Sequence, residues 1–284
     1  MSVNCSKILV IGSNSFTGSN FVNFALSKSI KLVGISRSNE YKEIMLSYKS
    51  NPNLNNFKFY KLDVNKHLNK ILTLIDSFKP EVIINFSAQG EVRNSWKFSE
   101  QWYITNCLSV VKLTNALIKR KFVKRYISIS TPEVYGGTYN KVVENNYFNP
   151  STPYAASKLA GDLHLNTLFK KYNFPIIFSR SANVYGPHQQ LYRIIPRTII
   201  CLKNRKKIKL HGKGKTRRSF IHIKDVVEAI YKMIIFGKIG EVYHIAPATK
   251  EISIYKVVSL ICSIMGYDFQ SSVKLISENY GQDS

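Results

Sequence analysis

KILVIGSNSFTGSNFV, residues 7–22, is the stretch that decides the fold. An apolar run, KILVIG (7–12), breaks at Gly12. Gly18 frames the far side of the break, and SNFVNFALSK (19–28) carries helix-like spacing. A strand that turns straight into a helix presents backbone N–H groups at the helix start. A pyrophosphate is held there, and glycine lets the backbone approach it closely. The usual dinucleotide fingerprint has a further glycine between these two, where this chain has Ser15. An ordinary strand–turn–helix reads the same way, so the surroundings must decide. The motif opens the chain, and a second strand, KLVGIS (31–36), ends about 20 residues on, where a ribose-reading residue belongs.

Outward from that unit the alternation continues. FKFYKLDV (57–64), EVIINFSA (81–88), RYISIS (125–130) and PIIFSR (175–180) read as strands. ILTLIDSF (71–78), the long stretch 101–120 and PYAASKLAGDLHLNTLFKKY (153–172) read as helices. The strands are near-continuously apolar, as expected of parallel strands covered on both faces. The expected architecture is α/β, a doubly wound parallel sheet with a smaller C-terminal α/β lobe. We place the dinucleotide-binding domain at 1–182, with 219–237 returning to it, and the substrate lobe at 183–284.

The bulk numbers limit the alternatives. The chain has 284 residues, 44% of them hydrophobic, enough for a sizeable core. No apolar run reaches the roughly 18 residues that span a bilayer, and the N-terminus lacks the three-part pattern of a signal peptide. Cys5, Cys107, Cys201 and Cys262 are far apart, and the six histidines show no metal-ligand spacing. A reduced cytoplasmic setting without a metal is expected. The net charge of +24 raises a nucleic-acid reading. Most lysines are scattered, however, and a dense cluster occurs only at 203–218, where nine of sixteen residues are Lys or Arg. That cluster is either a solvated face or a phosphate site.

Two further stretches carry chemistry. The second strand ends GISRS (34–38), with Ser36, Arg37 and Ser38 where an NAD site usually has a carboxylate for the ribose 2′-hydroxyl. Arginine and hydroxyls there suit a 2′-phosphate, so NADP is expected over NAD. Tyr154 and Lys158, in YAASK, lie one helical turn apart and face one way. An ammonium beside a phenol favours the phenolate, which makes such a pair a base for a sugar hydroxyl as hydride leaves for a nicotinamide.

In chain order, GSNSFTG (12–18), LDV (62–64), NFSAQGEVRNSW (85–96), TNCLSVVKL (105–113), ISTPEVYG (129–136), NPSTPYAASKLAGD (149–162), RSANVYGPHQ (180–189), IIPR (194–197) and HGKGKTRRSFIHIKDV (211–226) make the chain resemble the extended short-chain dehydrogenase/reductase superfamily. Within it the nucleotide-sugar epimerases and dehydratases, and above all the dTDP-glucose and GDP-mannose 4,6-dehydratases, are most similar. The resemblance implies a Rossmann fold, a dinucleotide cofactor and a nucleotide-diphosphate sugar as substrate. It implies Tyr154 as the base at the sugar 4-hydroxyl, Lys158 on the nicotinamide ribose and Thr131 on the 4-oxygen. Gly12, Ser15, Phe16, Thr17 and Gly18 would line the pyrophosphate. Asp63 and Val64 would meet the adenine, with Ser87, Ala88 and Gln89 along the cofactor. Asn183 and Arg218 would hold the substrate's diphosphate. Helices 101–120 and 153–172 resemble the pair that makes a homodimer in this family.

One departure bears on the reaction. Elimination across C5 and C6 needs a base and an acid. The family's dTDP-glucose members carry an Asp-Glu pair after the threonine. Here Glu133 holds the base position and Pro132 the donor position. Three readings stay open: a dehydratase in which Glu133 serves as base and acid, a 4-epimerase or 4-reductase that needs only C4 oxidation, and a degenerate site. Outside the enzymes, a dinucleotide-bound or RNA-binding scaffold would use the positive charge. The resemblance also implies a shortened C-terminal lobe, since the chain stops at ENYGQDS (278–284).

Overall fold

The computed structural model describes residues 5–137 and 142–277; the terminal stretch 278–284 lies outside them. Seven strands form one sheet: β1 (Lys7–Ile11), β2 (Lys31–Ser36), β3 (Phe57–Lys61), β4 (Val82–Asn85), β5 (Arg125–Ser130), β6 (Ile176–Ser181) and β7 (Val242–Ile245). Their spatial order is β7-β6-β5-β4-β1-β2-β3, and every pair is parallel. The order reverses between β1 and β4, so a crevice opens at the carboxyl ends of those strands, where such sheets bind ligands.

Alternation along β1 shows why the strands read as continuous apolar runs. Ile8 and Val10 pack on one face with α1 (Phe16–Leu26) and on the other side of the same layer with Val226 and Ile230. Leu9 and Ile11 pack on the opposite face beneath α2 (Leu68–Phe78), among Ile71 and Ile75. Both faces are buried, so neither register position tolerates a polar side chain.

Two further short helices, α3 (Val92–Lys97) and α4 (Ser99–Tyr103), lead to a π-helical turn at Ile104–Leu108 and then α5 (Ser109–Leu117). The expected single helix at 101–120 is thus interrupted. The Ser109 N–H reaches back to the Ile104 carbonyl, five residues earlier, and the inserted residue rotates Asn106 inward. The helix expected at 153–172 is continuous as α6 (Pro153–Tyr172). Thr152 caps it, with its side-chain oxygen accepting from the Ala155 N–H at 3.1 Å, and Pro153 takes the first turn.

Beyond β6 the chain builds a smaller cluster from Leu202, Ile208, Leu210, Val258, Cys262 and Val273. It lies between α7 (Ile194–Lys203) and residues 254–264, under the parallel pair Ile208–Leu210 and Val273–Leu275. The return to the main sheet extends past the expected 219–237. Helix α8 (Ile223–Phe236) packs on the face of α1, and β7 then pairs with β6, Val242 opposite Phe178 and Ile245 opposite Ser181. The helix α9 (Ile254–Ile264) follows in the smaller cluster. No helix among the described residues is long and apolar enough to cross a membrane.

Candidate active site

The turn after β1 is shaped by what it cannot hold. Gly12 has φ +84°, and a β-carbon there would sit 2.8 Å from the Ser87 backbone nitrogen. A β-carbon on Gly18 would sit 2.3 Å from the Gly12 carbonyl oxygen. Both glycines are therefore required by the contact of α1 with the strand ends. Ser15 caps α1, its hydroxyl accepting from the Gly18 N–H at 3.0 Å. Helix geometry leaves the N–H groups of Phe16 and Thr17 without intrahelical acceptors, at the positive end of the helix dipole. That bare, donor-rich turn fits a diphosphate.

Ser36, Arg37 and Ser38 close the carboxyl end of β2 beside it. Asn14, which the sequence did not single out, organises them. Its N–H donates to the Ser36 hydroxyl at 3.0 Å, and its amide donates to the Ser38 hydroxyl at 3.2 Å and the Asn39 carbonyl at 2.9 Å. Arg37 is exposed. The neighbouring carboxylate, Glu40, is already occupied by the Tyr48 hydroxyl and the Lys49 ammonium, both at 2.8 Å.

Asp63 and Val64 follow β3. The Asp63 carboxylate accepts from the Asn65 N–H at 2.8 Å, and Asn65 reaches Thr105 on the π turn at 3.1 Å. Ser87, Ala88 and Gln89 follow β4. Ser87 donates twice to Asn85, whose amide donates to Tyr126. Gln89 is gripped at both its N–H and its carbonyl by the side chain of Asn106, which also donates to the Ser157 hydroxyl at 3.0 Å. Asn106 thereby links the β4 exit to the helix bearing Tyr154 and Lys158, a role that only the π turn reveals.

After β5, Thr131 caps a short 3-10 turn, Pro132–Tyr135, its hydroxyl accepting from the Glu133 N–H at 3.3 Å. Proline is at home in the first position of such a turn, where its missing N–H costs nothing. The turn brings Thr131 and Glu133 to bear on the Tyr154 phenol: the threonine hydroxyl favours its ionised form and the carboxylate opposes it. Glu133 is exposed at the surface of the cleft, and the desolvation it does meet raises its carboxyl above the ordinary glutamate value, against the pull of Arg218 and Arg193. Arg193, absent from the residues expected here, thus joins Arg218 as a cation facing the same carboxylate. Arg218 follows the αL turn of the basic stretch, and Asn183 turns its amide to the Ser219 carbonyl at 3.3 Å.

The expected lowering of the Tyr154 phenol by Lys158 does not appear. Burial, then Glu133, push Tyr154 up to about 12, while Thr131 and Arg193 oppose. Lys158 donates to the Ile129 carbonyl at 2.7 Å. Burial lowers the pKa of this ammonium, and Asp162, one turn along α6, counteracts it. Among the described residues there is no His, Cys, Asp and Glu cluster fit to hold a metal.

The sequence profile of the family described as "NAD dependent epimerase/dehydratase family" matches residues 8–246. A dTDP-D-glucose 4,6-dehydratase from Mus musculus is 35% identical over 195 residues, covering 68% of this chain and 54% of that protein. The chain therefore spans about half the length of that relative. A structure of dTDP-glucose 4,6-dehydratase from Bacillus anthracis in complex with NAD superposes with a TM-score of 0.84 at 28% identity, covering 96% of this chain and 85% of that one. A UDP-glucuronic acid 4-epimerase from Bacillus cereus, in complex with UDP-glucuronic acid and NAD, gives 0.81 at 27%, covering 96% and 86%.

Proposed function

The chain belongs to the NAD dependent epimerase/dehydratase family, and on that premise we propose that it is a nucleotide-sugar 4,6-dehydratase-like enzyme. The observation that carries this reading is Glu133 beside Tyr154 at the end of β5: oxidation at C4 needs only the phenol, whereas a second proton-transferring group suits elimination.

An oxidised nicotinamide held with its ribose at Lys158 would accept hydride from sugar C4 and return it at C6, and its positive charge would favour the phenolate. Tyr154 takes the proton of the 4-hydroxyl, oriented by Thr131. The Glu133 carboxylate opposes ionisation of the Tyr154 phenol. With Tyr154 protonated, Glu133 stands as the carboxylate. It removes the C5 proton, the C6–oxygen bond breaks, and Glu133 returns that proton to the leaving hydroxyl as water. C5 regains one proton from solvent, which balances the one Tyr154 took. This order lets a single carboxyl be base and acid, and Pro132 is then a turn former.

The second reading is a 4-epimerase or 4-reductase. It is favoured by the lack of a donor at Pro132 and by the likeness to the UDP-glucuronic acid 4-epimerase. Incubation with dTDP-glucose or GDP-mannose in deuterated water separates the two. Deuterium at C5 of the product supports dehydration; a changed C4 configuration without it overturns dehydration.

Arg37 and the occupied Glu40 support NADP over NAD, tested by competition between the two for the protein. In this reading the seven-stranded sheet holds the dinucleotide, and 183–284, less the returning segment, holds the nucleotide sugar through Asn183 and Arg218. The exposed Tyr103, Ile104, Leu108 and Leu163 support a homodimer through 101–120 and 153–172. The four free cysteines support a cytoplasmic setting, and a nucleic acid is not part of the reading.

A further inference from the structure

Behind Lys158 runs a buried polar chain that no step above uses. Lys158 and Asp162 share one face of α6, and both are buried. Removing an ammonium from water favours its neutral form, and Asp162 is the charge that opposes this loss. Asp162 is only 5% exposed. Burial pushes its carboxyl up; Lys158, the donating Ser130 hydroxyl and Arg180 pull it back, with Arg180 Nη2 3.5 Å from Oδ2.

Arg180 is itself fixed. Its Nη1 donates to the Tyr135 phenol oxygen, and its guanidinium lies 4.9 Å from the Tyr135 ring centre and 5.2 Å from that of Phe148. Since that oxygen accepts from Arg180, the phenol's proton is available to His244 Nε2, 3.0 Å away. A ring nitrogen that accepts carries no proton, so the contact selects neutral imidazole protonated on Nδ1. Burial favours the same neutral form, Glu144 opposes it, and Arg180 supports it.

We propose that Asp162 is a positioning residue for the Lys158 ammonium, and that Ser130, Arg180 and Tyr135 hold its carboxylate in place. Lys158 then keeps its charge where the cofactor's ribose binds. This rests on the reading of Lys158 as the cofactor-binding ammonium. The titratable and charged groups around the pair are Tyr154 on α6, Glu133 from the turn after β5, Arg180 from β6 and Arg193 at the start of α7. Tyr135, His244 and Glu144 stand behind Arg180. Asp162 is the carboxylate one turn from Lys158 on the same buried face of α6.

The test follows NADPH and NADH binding by nicotinamide fluorescence from neutral to alkaline pH, with thermal unfolding of each variant in parallel. In the unaltered protein, affinity fades as pH rises through the Lys158 pKa. In Asp162→Asn that midpoint moves to lower pH by about one to three units, the range expected for loss of a nearby opposite charge. Asp162→Glu restores it. Ser130→Ala, which removes a donor but no charge, moves it the same way by less. If Asp162→Asn fails to fold because Arg180 is left unpaired, Ser130→Ala decides. An unmoved midpoint in the folded variants overturns the positioning role alone. Lys158→Met binding NADPH as tightly as the unaltered protein overturns the parent reading instead.

Discussion

At the residue scale the proposed chemistry rests on the Tyr154 phenol, which its surroundings keep protonated. On that proposal Tyr154→Phe removes the group that takes the 4-hydroxyl proton while leaving its packing intact. We expect kcat to fall by about 10²–10⁴, the range of a lost general base, with an unchanged melting temperature. Pro132 gives a test in the opposite direction. Pro132→Asp supplies a donor beside Glu133 at a position exposed to the cleft. In a dehydratase limited by the departure of the C6 hydroxyl it raises the rate of C5 deuteration; in an epimerase it changes nothing. Thr131, Glu133, Tyr154 and Lys158 could be picked from the sequence because each sits in a short motif. Asn14, Asp162 and Arg180 could not be assigned roles. Their contacts join residues far apart in the chain, such as Arg180 with Tyr135, and long-range polar pairs leave no periodic trace.

At the element scale, close approach decides more than propensity. Gly161 lets α6 lie against the π turn: a β-carbon there would be 2.5 Å from the Asn106 carbonyl oxygen. Gly161→Ala should cost about 1–3 kcal/mol in chemical denaturation, as overpacking does, and loosen the Asn106 grip on Gln89. Glu81 fastens the start of β4 to that of β1. Its carboxylate accepts from the Ser6 N–H at 2.7 Å, the Ser6 hydroxyl at 2.9 Å and the Lys7 N–H at 3.3 Å. Burial works against its charge, but these donors prevail and its pKa is lowered. A carboxyl lowered on folding stabilises above its unfolded pKa, and that stability is lost as pH falls through the folded value. Glu81→Gln should therefore cost about 1 kcal/mol at neutral pH and flatten the acid side of the stability profile. The strand runs were legible because both faces are covered. The break in 101–120 was not, since a π turn differs from an α-helix by one inserted residue and keeps the same apolar spacing.

At the scale of the whole molecule, the apolar side chains on the outer faces of α4 to α6 are the feature a second copy would cover. Leu108 is 45% exposed on the π turn and Leu163 is 47% exposed on α6. Leu108→Glu should convert a dimer to a monomer in sedimentation equilibrium without lowering the helix content seen by circular dichroism. The sequence made the doubly wound sheet readable up to β6, where strands and helices alternate at short intervals. It hid β7, a four-residue strand with three half-buried side chains and only Ile245 buried, with no apolar run to announce it. That late strand has a consequence for how the protein is made. A chain leaving the ribosome exposes β6 as a bare edge until residue 242 emerges, and an unpaired edge invites strands of other nascent chains. During that interval Arg180 also waits for the histidine that completes its phenol contact. Synthesis halted shortly before residue 242 should yield an aggregating species, and synthesis carried just past 245 a well-behaved one.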